Sequence, residues 1–241
     1  MGICTASYSQ WAEDVLVLHF FDNRNEGTFF EAGAHDPTLI SQTYLLEQHG
    51  WHGVLVEALG DKAESFARLR PKSTFYCKAL GSPEQRGKTL DFVIPADRNT
   101  TEASLLGPNE KAPLGATIKK VECTTISDVL EEARITRLDY LSLDIEGHEL
   151  QAFRGLDFNR WRPGLILVED HMYNLKLHRY LKSKHYLLVY RTGSNSWYVP
   201  QGTNFPKLNL KVKLELFRKL YLSMPFRKLR LIGKKLRGLT P

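Results

Sequence analysis

Three carboxylates and a histidine crowd the end of one apolar run. Tyr140-Leu-Ser-Leu-Asp-Ile-Glu-Gly-His-Glu149 carries Asp144, Glu146, His148 and Glu149. An apolar run of this length reads as a buried strand. Carboxylates are costly to bury unless they are paired or bind something, and in open α/β sheets the chemistry lies just past the carboxyl ends of the strands. One strand ending in solvated charge would mean little. Here other runs end in the same way. Thr28-Phe-Phe-Glu-Ala-Gly-Ala-His-Asp36 carries Glu31, Gly53-Val-Leu-Val-Glu-Ala58 closes on Glu57, and Leu165-Ile-Leu-Val-Glu-Asp-His171 closes on Glu169, Asp170 and His171.

The first two of these runs belong together. A strand, a tight glycine turn, a helix and a second strand ending in an acid form the nucleotide half of a doubly wound sheet. Gly33 lets the backbone approach a ligand with no Cβ in the way, and Glu57 is placed to accept hydrogen bonds from ribose hydroxyls. The loop departs from the dinucleotide pattern, because positions 31 to 36 hold a single glycine. An acid at the strand end repels a pyrophosphate. It suits a cofactor with a cationic or zwitterionic tail, and S-adenosylmethionine has a sulfonium, an ammonium and no phosphate.

Six segments in order now carry a resemblance. They are Ser9-Gln-Trp-Ala-Glu-Asp14, Phe29-Phe-Glu-Ala-Gly-Ala-His-Asp36, Gly50-Trp-His-Gly-Val-Leu-Val-Glu57, Thr125-Ile-Ser-Asp-Val-Leu130, Leu138-Asp-Tyr-Leu-Ser-Leu-Asp-Ile-Glu-Gly-His-Glu149 and Leu165-Ile-Leu-Val-Glu169. Together they make the chain resemble FkbM-type methyltransferases, a branch of the class I S-adenosylmethionine-dependent enzymes. The resemblance implies a doubly wound, mostly parallel seven-stranded α/β sheet over residues 1–206. It implies a cofactor site at Glu31, Gly33, Ala34, Asp36, Glu57, Ala79, Leu80 and Asp144, with Ala79 and Leu80 beside the adenine. In the family's glycine-rich loop Glu31 replaces an Asp and His35 an Asn. The reaction implied is O-methyl transfer to a sugar hydroxyl of a glycan or glycolipid. The rival is a binding module that keeps the fold and has lost the cofactor.

Winding of this kind makes the strands that end at Asp144 and Glu169 neighbours. Facing carboxylates repel unless a proton or a cation lies between them. Two chemistries follow. Asp144, Glu169 and Asp170 could hold Mg²⁺ or Mn²⁺, which favour oxygen ligands. Alternatively Asp144, Glu146 or His171 takes the hydroxyl proton as general base, with the other acids on sugar hydroxyls. Glu149 reads as a dipole partner at a helix start, His35 as a wall of the cofactor loop and Trp51 as core.

The supporting elements are a lead-in helix over 11–20, a helix from Pro37 to about His49, and strands near 73–79, 185–191 and 196–200. Residues 89–95 and 116–123 read as a hairpin added to the sheet edge. The Thr-, Asn- and Pro-rich stretch from Asp97 to Gly115 reads equally as a lid or a surface excursion.

Charge divides the chain. From Lys207 on, eleven Lys or Arg stand against one acid, Glu215, for a net +10, while the rest carries −4. Leu208, Leu210, Val212, Leu214 and Leu216 alternate with polar residues, and Phe226, Leu229, Ile232 and Leu236 follow at helical spacing. Residues 207–241 therefore read as a basic amphipathic tail for an anionic membrane surface. A partner-binding helix and a disordered tail are the other readings. The apolar stripe argues against nucleic acid, which needs none. Cys4, Cys77 and Cys123 are odd in number and lack metal-ligand spacing. With no signal-peptide pattern at the start, the expected location is cytoplasmic, peripheral at the inner face of a membrane.

Overall fold

The structure is a computed structural model that describes residues 6–96, 103–106, 112–170, 175–205, 210–223, 226–227, 229–230 and 233. In chain order the elements are α1 (Glu13–Phe20), β1 (Thr28–Ala32), α2 (Tyr44–Gln48), β2 (His52–Glu57), α3 (Ala63–Leu69), β3 (Ser73–Cys77), β4 (Ala79–Leu80), β5 (Thr89–Ile94), β6 (Ser104–Leu105) and β7 (Thr117–Thr124). They continue with α4 (Ile126–Glu132), β8 (Tyr140–Leu143), α5 (Glu149–Arg154), β9 (Leu165–Glu169), α6 (Lys176–Ser183), β10 (Tyr186–Thr192), β11 (Asn195–Pro200) and α7 (Leu210–Phe217).

The main sheet has seven strands in the order β10-β11-β9-β8-β1-β2-β3. Only β11 runs against the others, pairing antiparallel with both β9 and β10. The winding reverses between β1 and β8, which are parallel neighbours with Phe29 opposite Tyr140 and Ala32 opposite Leu143. A crevice opens at such a switch point, outside the carboxyl ends of the strands. This is the doubly wound, Rossmann-like arrangement that the sequence resemblance implies.

Alternation along the strands builds two cores. Phe30, Val54, Leu141, Leu143 and Ile166 pack with Val129 and Leu130 of α4, Phe153 of α5 and Leu181 of α6. Their strand neighbours Phe29, Leu55, Tyr140 and Leu165 face the other way, onto Val17 and Leu18 of α1, Leu45 and Leu46 of α2 and Phe66 of α3. Period-2 burial on both faces is what a sheet covered by helices on each side requires. Trp51 lies in the second core and is fully buried, as its sequence context suggests. Thr125 caps α4 by accepting from the Asp128 N–H at 3.1 Å, a bond that typically contributes about 1 kcal/mol.

Two expected elements differ. Residues 89–95 and 116–123 do not extend the main sheet. β5 and β7 pair antiparallel and, with β4 and β6, make a separate four-stranded sheet in the order β4-β7-β5-β6. Its own apolar cluster, Phe92, Ile94, Ala103, Val121 and Cys123 with Leu59 and Ala79, explains the separation: this hairpin has a core of its own to cover. The helix expected from Pro37 is shorter, since α2 begins only at Tyr44. Residues 37–43 stay a loop: the carboxylate of Glu31 captures an N–H that a helix would give to the carbonyl of Thr38, while Asp36 caps a first turn with no helix following it. Glu31 takes the N–H of Gln42, and Asp36 takes those of Thr38 and Leu39.

Candidate active site

A cleft of about 330 Å³ lies at the carboxyl ends of β1, β2, β8 and β9. That is within the range of small-molecule sites, roughly 300–1,000 Å³. Its wall includes Glu31, Gly33, Ala34, Glu57, Ala79, Leu80, Asp144, Glu146 and Glu169. Of the residues expected from sequence to touch the cofactor, all but Asp36 line it. Asp36 turns away, to Lys62 at 3.0 Å and to the N–H groups of Thr38 and Leu39. Against the upward push of burial, these partners hold its carboxyl down to about 2.

The glycine turn is a close fit between strands. Gly33 has φ +76°, and a Cβ there would meet the Asp144 carbonyl oxygen at 1.7 Å. A side chain at 33 therefore strikes the backbone of the neighbouring strand end before it reaches any ligand. His35 follows with φ +40° and gives its N–H to Glu57 Oε2 at 2.9 Å. Leu59 N–H donates to the other oxygen at 3.1 Å. Each oxygen keeps a lone pair for a ligand hydroxyl, and the carboxylate is held before any ligand arrives.

Glu31 lines the cleft, but its oxygens are engaged by the loop beneath. They accept from Gln42 N at 2.9 Å, Ser41 Oγ at 3.3 Å and, by a short bond, Thr43 Oγ1. Arg70, buried at the end of α3, donates to Thr43 Oγ1 at 2.7 Å and to Glu47 Oε2 at 2.7 Å. Burial pushes the Glu31 carboxyl up, and Arg70, Thr43, Gln42 and Ser41 all oppose it.

Across the cleft the acids meet one another. Asp144, Glu146 and Glu169 each place an oxygen so that all lie within 4.8 Å. Asp144 is open to the cleft but ringed by protein atoms. Burial pushes its carboxyl well up, and Glu169, Glu146 and Glu149 add to the push. Among these neighbours Glu169 acts most strongly on Asp144. Glu146 has φ +53°, a left-handed conformation that strains a residue with a Cβ. Glu149 starts α5 and folds back to accept from Gly147 N at 2.9 Å and Ile145 N at 3.3 Å, bracing the loop that carries Glu146. Burial raises its carboxyl to about 7 despite those bonds.

Asp170 stands outside this trio: it is not on the cleft wall, and Glu146 takes the place the sequence reading gave it. The reason is local. Glu169 ends β9 opposite Asn195, while Asp170 is drawn into the β10–β11 turn, where its N–H donates to Ser194 O and its carbonyl accepts from Arg191 Nη1. His171 lies outside the described residues.

Residues that sequence reading passed over complete the wall. Gln10, Leu39, Ile40, Phe92, Leu105 and Asn195 line it. Asn195 donates to Glu13 Oε1 at 2.9 Å, which ties the segment Ser9–Asp14 to the sheet. Leu39 and Ile40 are 69% and 59% exposed, and Ile40 has φ +58°, unusual for a β-branched residue. The only sequence signal for this lip is two adjacent apolar residues in a polar loop.

Residues 31–188, more than half of the chain, match the model of the methyltransferase FkbM domain. The chain belongs to the FkbM methyltransferase family. No curated protein matches it. Among solved structures, the precorrin-6y C5,15-methyltransferase from Geobacter metallireducens GS-15 is similar at 11% identity and a TM-score of 0.39, over 80% of this chain and 91% of that one. A likeness so distant adds nothing to the strand order. The methyl donor that the family implies is S-adenosylmethionine, and the cleft of this methyltransferase fits it. Five acids line the wall against one lysine, Lys78, itself paired with Glu122. That charge suits a sulfonium and an ammonium and disfavours phosphates. Among the described residues, no helix is long and apolar enough to cross a membrane.

Proposed function

We propose that this methyltransferase transfers the methyl group to oxygen, on a sugar hydroxyl of a glycan or glycolipid. The observation that carries the reading is the Asp144–Glu146–Glu169 group, with oxygens within 4.8 Å of one another on the cleft wall. Bound S-adenosylmethionine supplies a methyl on a sulfonium, which an attacking oxygen takes while the electron pair of the broken bond stays on sulfur. An alcohol is a poor nucleophile until its proton has somewhere to go. Asp144, whose carboxyl is pushed up by burial and by Glu169 and Glu146, is in its ionised form a stronger base than an ordinary carboxylate and is suited to accept that proton as the new C–O bond forms. Glu146 and Glu169 accept hydrogen bonds from neighbouring hydroxyls and so hold a polyol in place, which lowers the entropic part of the barrier. Glu57 holds the ribose hydroxyls, and Gly33, Ala34, Ala79 and Leu80 provide close, uncharged wall. The exposed apolar lip of Leu39 and Ile40 suits an acceptor with a lipid portion next to its sugar.

A divalent cation is the second reading, favoured by the same 4.8 Å grouping of three oxygen ligands. Mg²⁺ or Mn²⁺ there would be held by Asp144, Glu146 and Glu169, would relieve their repulsion and would lower the pKa of a bound hydroxyl.

Calorimetric titration with S-adenosylmethionine comes first, then methyl transfer to a panel of glycosides and glycolipids with and without EDTA. Binding and transfer that persist in EDTA support the metal-free form. Loss in EDTA restored by Mg²⁺ or Mn²⁺ selects the second. No cofactor binding by the folded protein would favour a non-catalytic module. Transfer only to nitrogen or carbon acceptors would sink the O-methyl reading.

A further inference from the structure

The C-terminal segment has two unlike faces. Leu216 and Leu220, four residues apart, are buried, so the segment is packed rather than loose. Residues three and four apart share one face of a helix. On the other side Leu214, Phe217, Tyr221 and Leu222 are exposed, and beyond them Phe226 is 74% and Leu229 65% exposed. The rings of Phe217 and Tyr221 lie 5.1 Å apart, so these two exposed side chains form one apolar surface. Arg218 and Arg230 are exposed within the same stretch. A contiguous apolar patch left in water marks a contact surface.

We propose that the segment from Leu210 onward docks this protein on an anionic membrane surface, through the apolar side chains of Leu214, Phe217, Tyr221, Leu222, Phe226 and Leu229 and the surrounding Lys and Arg. Charge complementarity selects that occupant. The tail carries +10 from Lys207 on, which an anionic bilayer neutralises. A second copy of the chain would bring +10 against +10, and nucleic acid would leave the apolar side chains in water. Apolar residues interleaved with basic ones are what an interfacial helix presents to lipid. The segment also reaches the side of the sheet on which the cleft opens. Arg227 lies near enough to Arg191 for the two charges to interact, and Arg191 donates to Gly193 O and Ser194 O in the turn beside the cleft residue Asn195. Docking by this segment would bring the cleft to the lipid surface.

The test sediments full-length protein with vesicles of phosphatidylcholine alone and of phosphatidylcholine mixed with phosphatidylserine. Pelleting is expected with the mixed vesicles and should fall as salt rises. Phe217→Ser with Phe226→Ser and Leu229→Ser should weaken it by roughly tenfold or more, because the inserted side chains are gone. Arg218→Glu with Arg230→Glu should weaken it comparably on mixed vesicles. All five positions are exposed, and unfolding midpoints check that the variants remain folded. Equal pelleting by the triple variant overturns the proposal, as does equal binding to neutral and anionic vesicles. Binding to an RNA oligonucleotide with no vesicle binding also overturns it, and so does a dimer that the triple variant dissolves. Cofactor titration on the same samples reads the methyltransferase site separately, so either reading can fail without the other.

Discussion

Glu31 and Asp144 line the same cleft, yet their surroundings are opposite. Burial pushes both carboxyls up. Around Glu31 every neighbour resists: Arg70 by charge, and Thr43, Gln42 and Ser41 by donating hydrogen bonds. Around Asp144 the neighbours Glu169, Glu146 and Glu149 push the same way as burial. The first arrangement is complete within the protein, and its effect is to fix the loop 37–43. The second stores electrostatic cost that a proton, a cation or a hydroxyl-bearing substrate would relieve. Carboxylates already supplied with donors support the site, and carboxylates set against one another are where chemistry is to be sought.

Asp144→Asn tests that distinction most sharply. Removing a general acid or base costs about 10²–10⁴ in rate, so turnover should fall by that order. Cofactor affinity and the unfolding midpoint should change little, because the amide removes repulsion without leaving a partner stranded. Steady-state kinetics and calorimetry on one preparation give both numbers. Cofactor affinity falling as far as turnover would move Asp144 to the cofactor-holding side of the comparison.

Arg70→Met is the counterpart under the loop. Arg70 and Glu47 are almost fully buried and 2.7 Å apart. Removing one partner of such a pair typically costs about 3–5 kcal/mol, since the other charge stays buried. Denaturant unfolding should show a loss of that order. A loss below about 1 kcal/mol would mean that water reaches Glu47 and that the network is less closed than its geometry.

The sequence made these two groups unequally legible. Strand ends carrying acids locate the sheet and its cleft, because alternation and acid-terminated apolar runs are local properties. Glu57, Asp144 and Glu169 sit where that logic puts them. Glu31 also lines the cleft as that logic expects, but what surrounds it was not legible: its long-range partner Arg70 stands in an unremarkable Leu69-Arg70-Pro71 stretch, and only folding brings them together. The small second sheet was hidden for a similar reason. Residues 89–95 and 116–123 read as a hairpin, but which sheet a hairpin joins depends on the apolar cluster it covers. Glu146, expected as a candidate base, and not Asp170 completes the group of three because chain turns, with left-handed backbone at Glu146, decide which acid faces the cleft.

Glu57→Ala probes the cofactor side. Its carboxylate is held by the N–H groups of His35 and Leu59. Losing charged hydrogen bonds to a ligand costs about 1–3 kcal/mol, so S-adenosylmethionine should bind roughly ten- to hundredfold more weakly, with turnover at saturation less affected. Unchanged affinity would leave Glu57 as a loop brace, like Glu31.

The smallest effect should come from Glu149, which has features of both groups: it accepts two backbone N–H bonds, yet burial and Glu169 raise its carboxyl to about 7. Its unfolded value is near 4.5. Between these values the folded state holds the proton more tightly than the unfolded chain, so stability falls as pH rises through that window. The contribution is complete below 4.5 and gone above about 7. Glu149→Gln cannot titrate and keeps an oxygen for Gly147 and Ile145. Relative to the parent it should gain about 1–2 kcal/mol on going from pH 4 to pH 6, where the unfolded carboxyl has ionised and the folded one mostly has not; the hydrogen bonds of the amide do not change with pH and cancel in the comparison. Subtracting parent from variant removes the opposite slopes of carboxyls such as Asp36, held down to about 2. A difference independent of pH would place Glu149 with the carboxylates whose donors outweigh their burial, a fixed anion beside Asp144 that raises its charge cost at every pH.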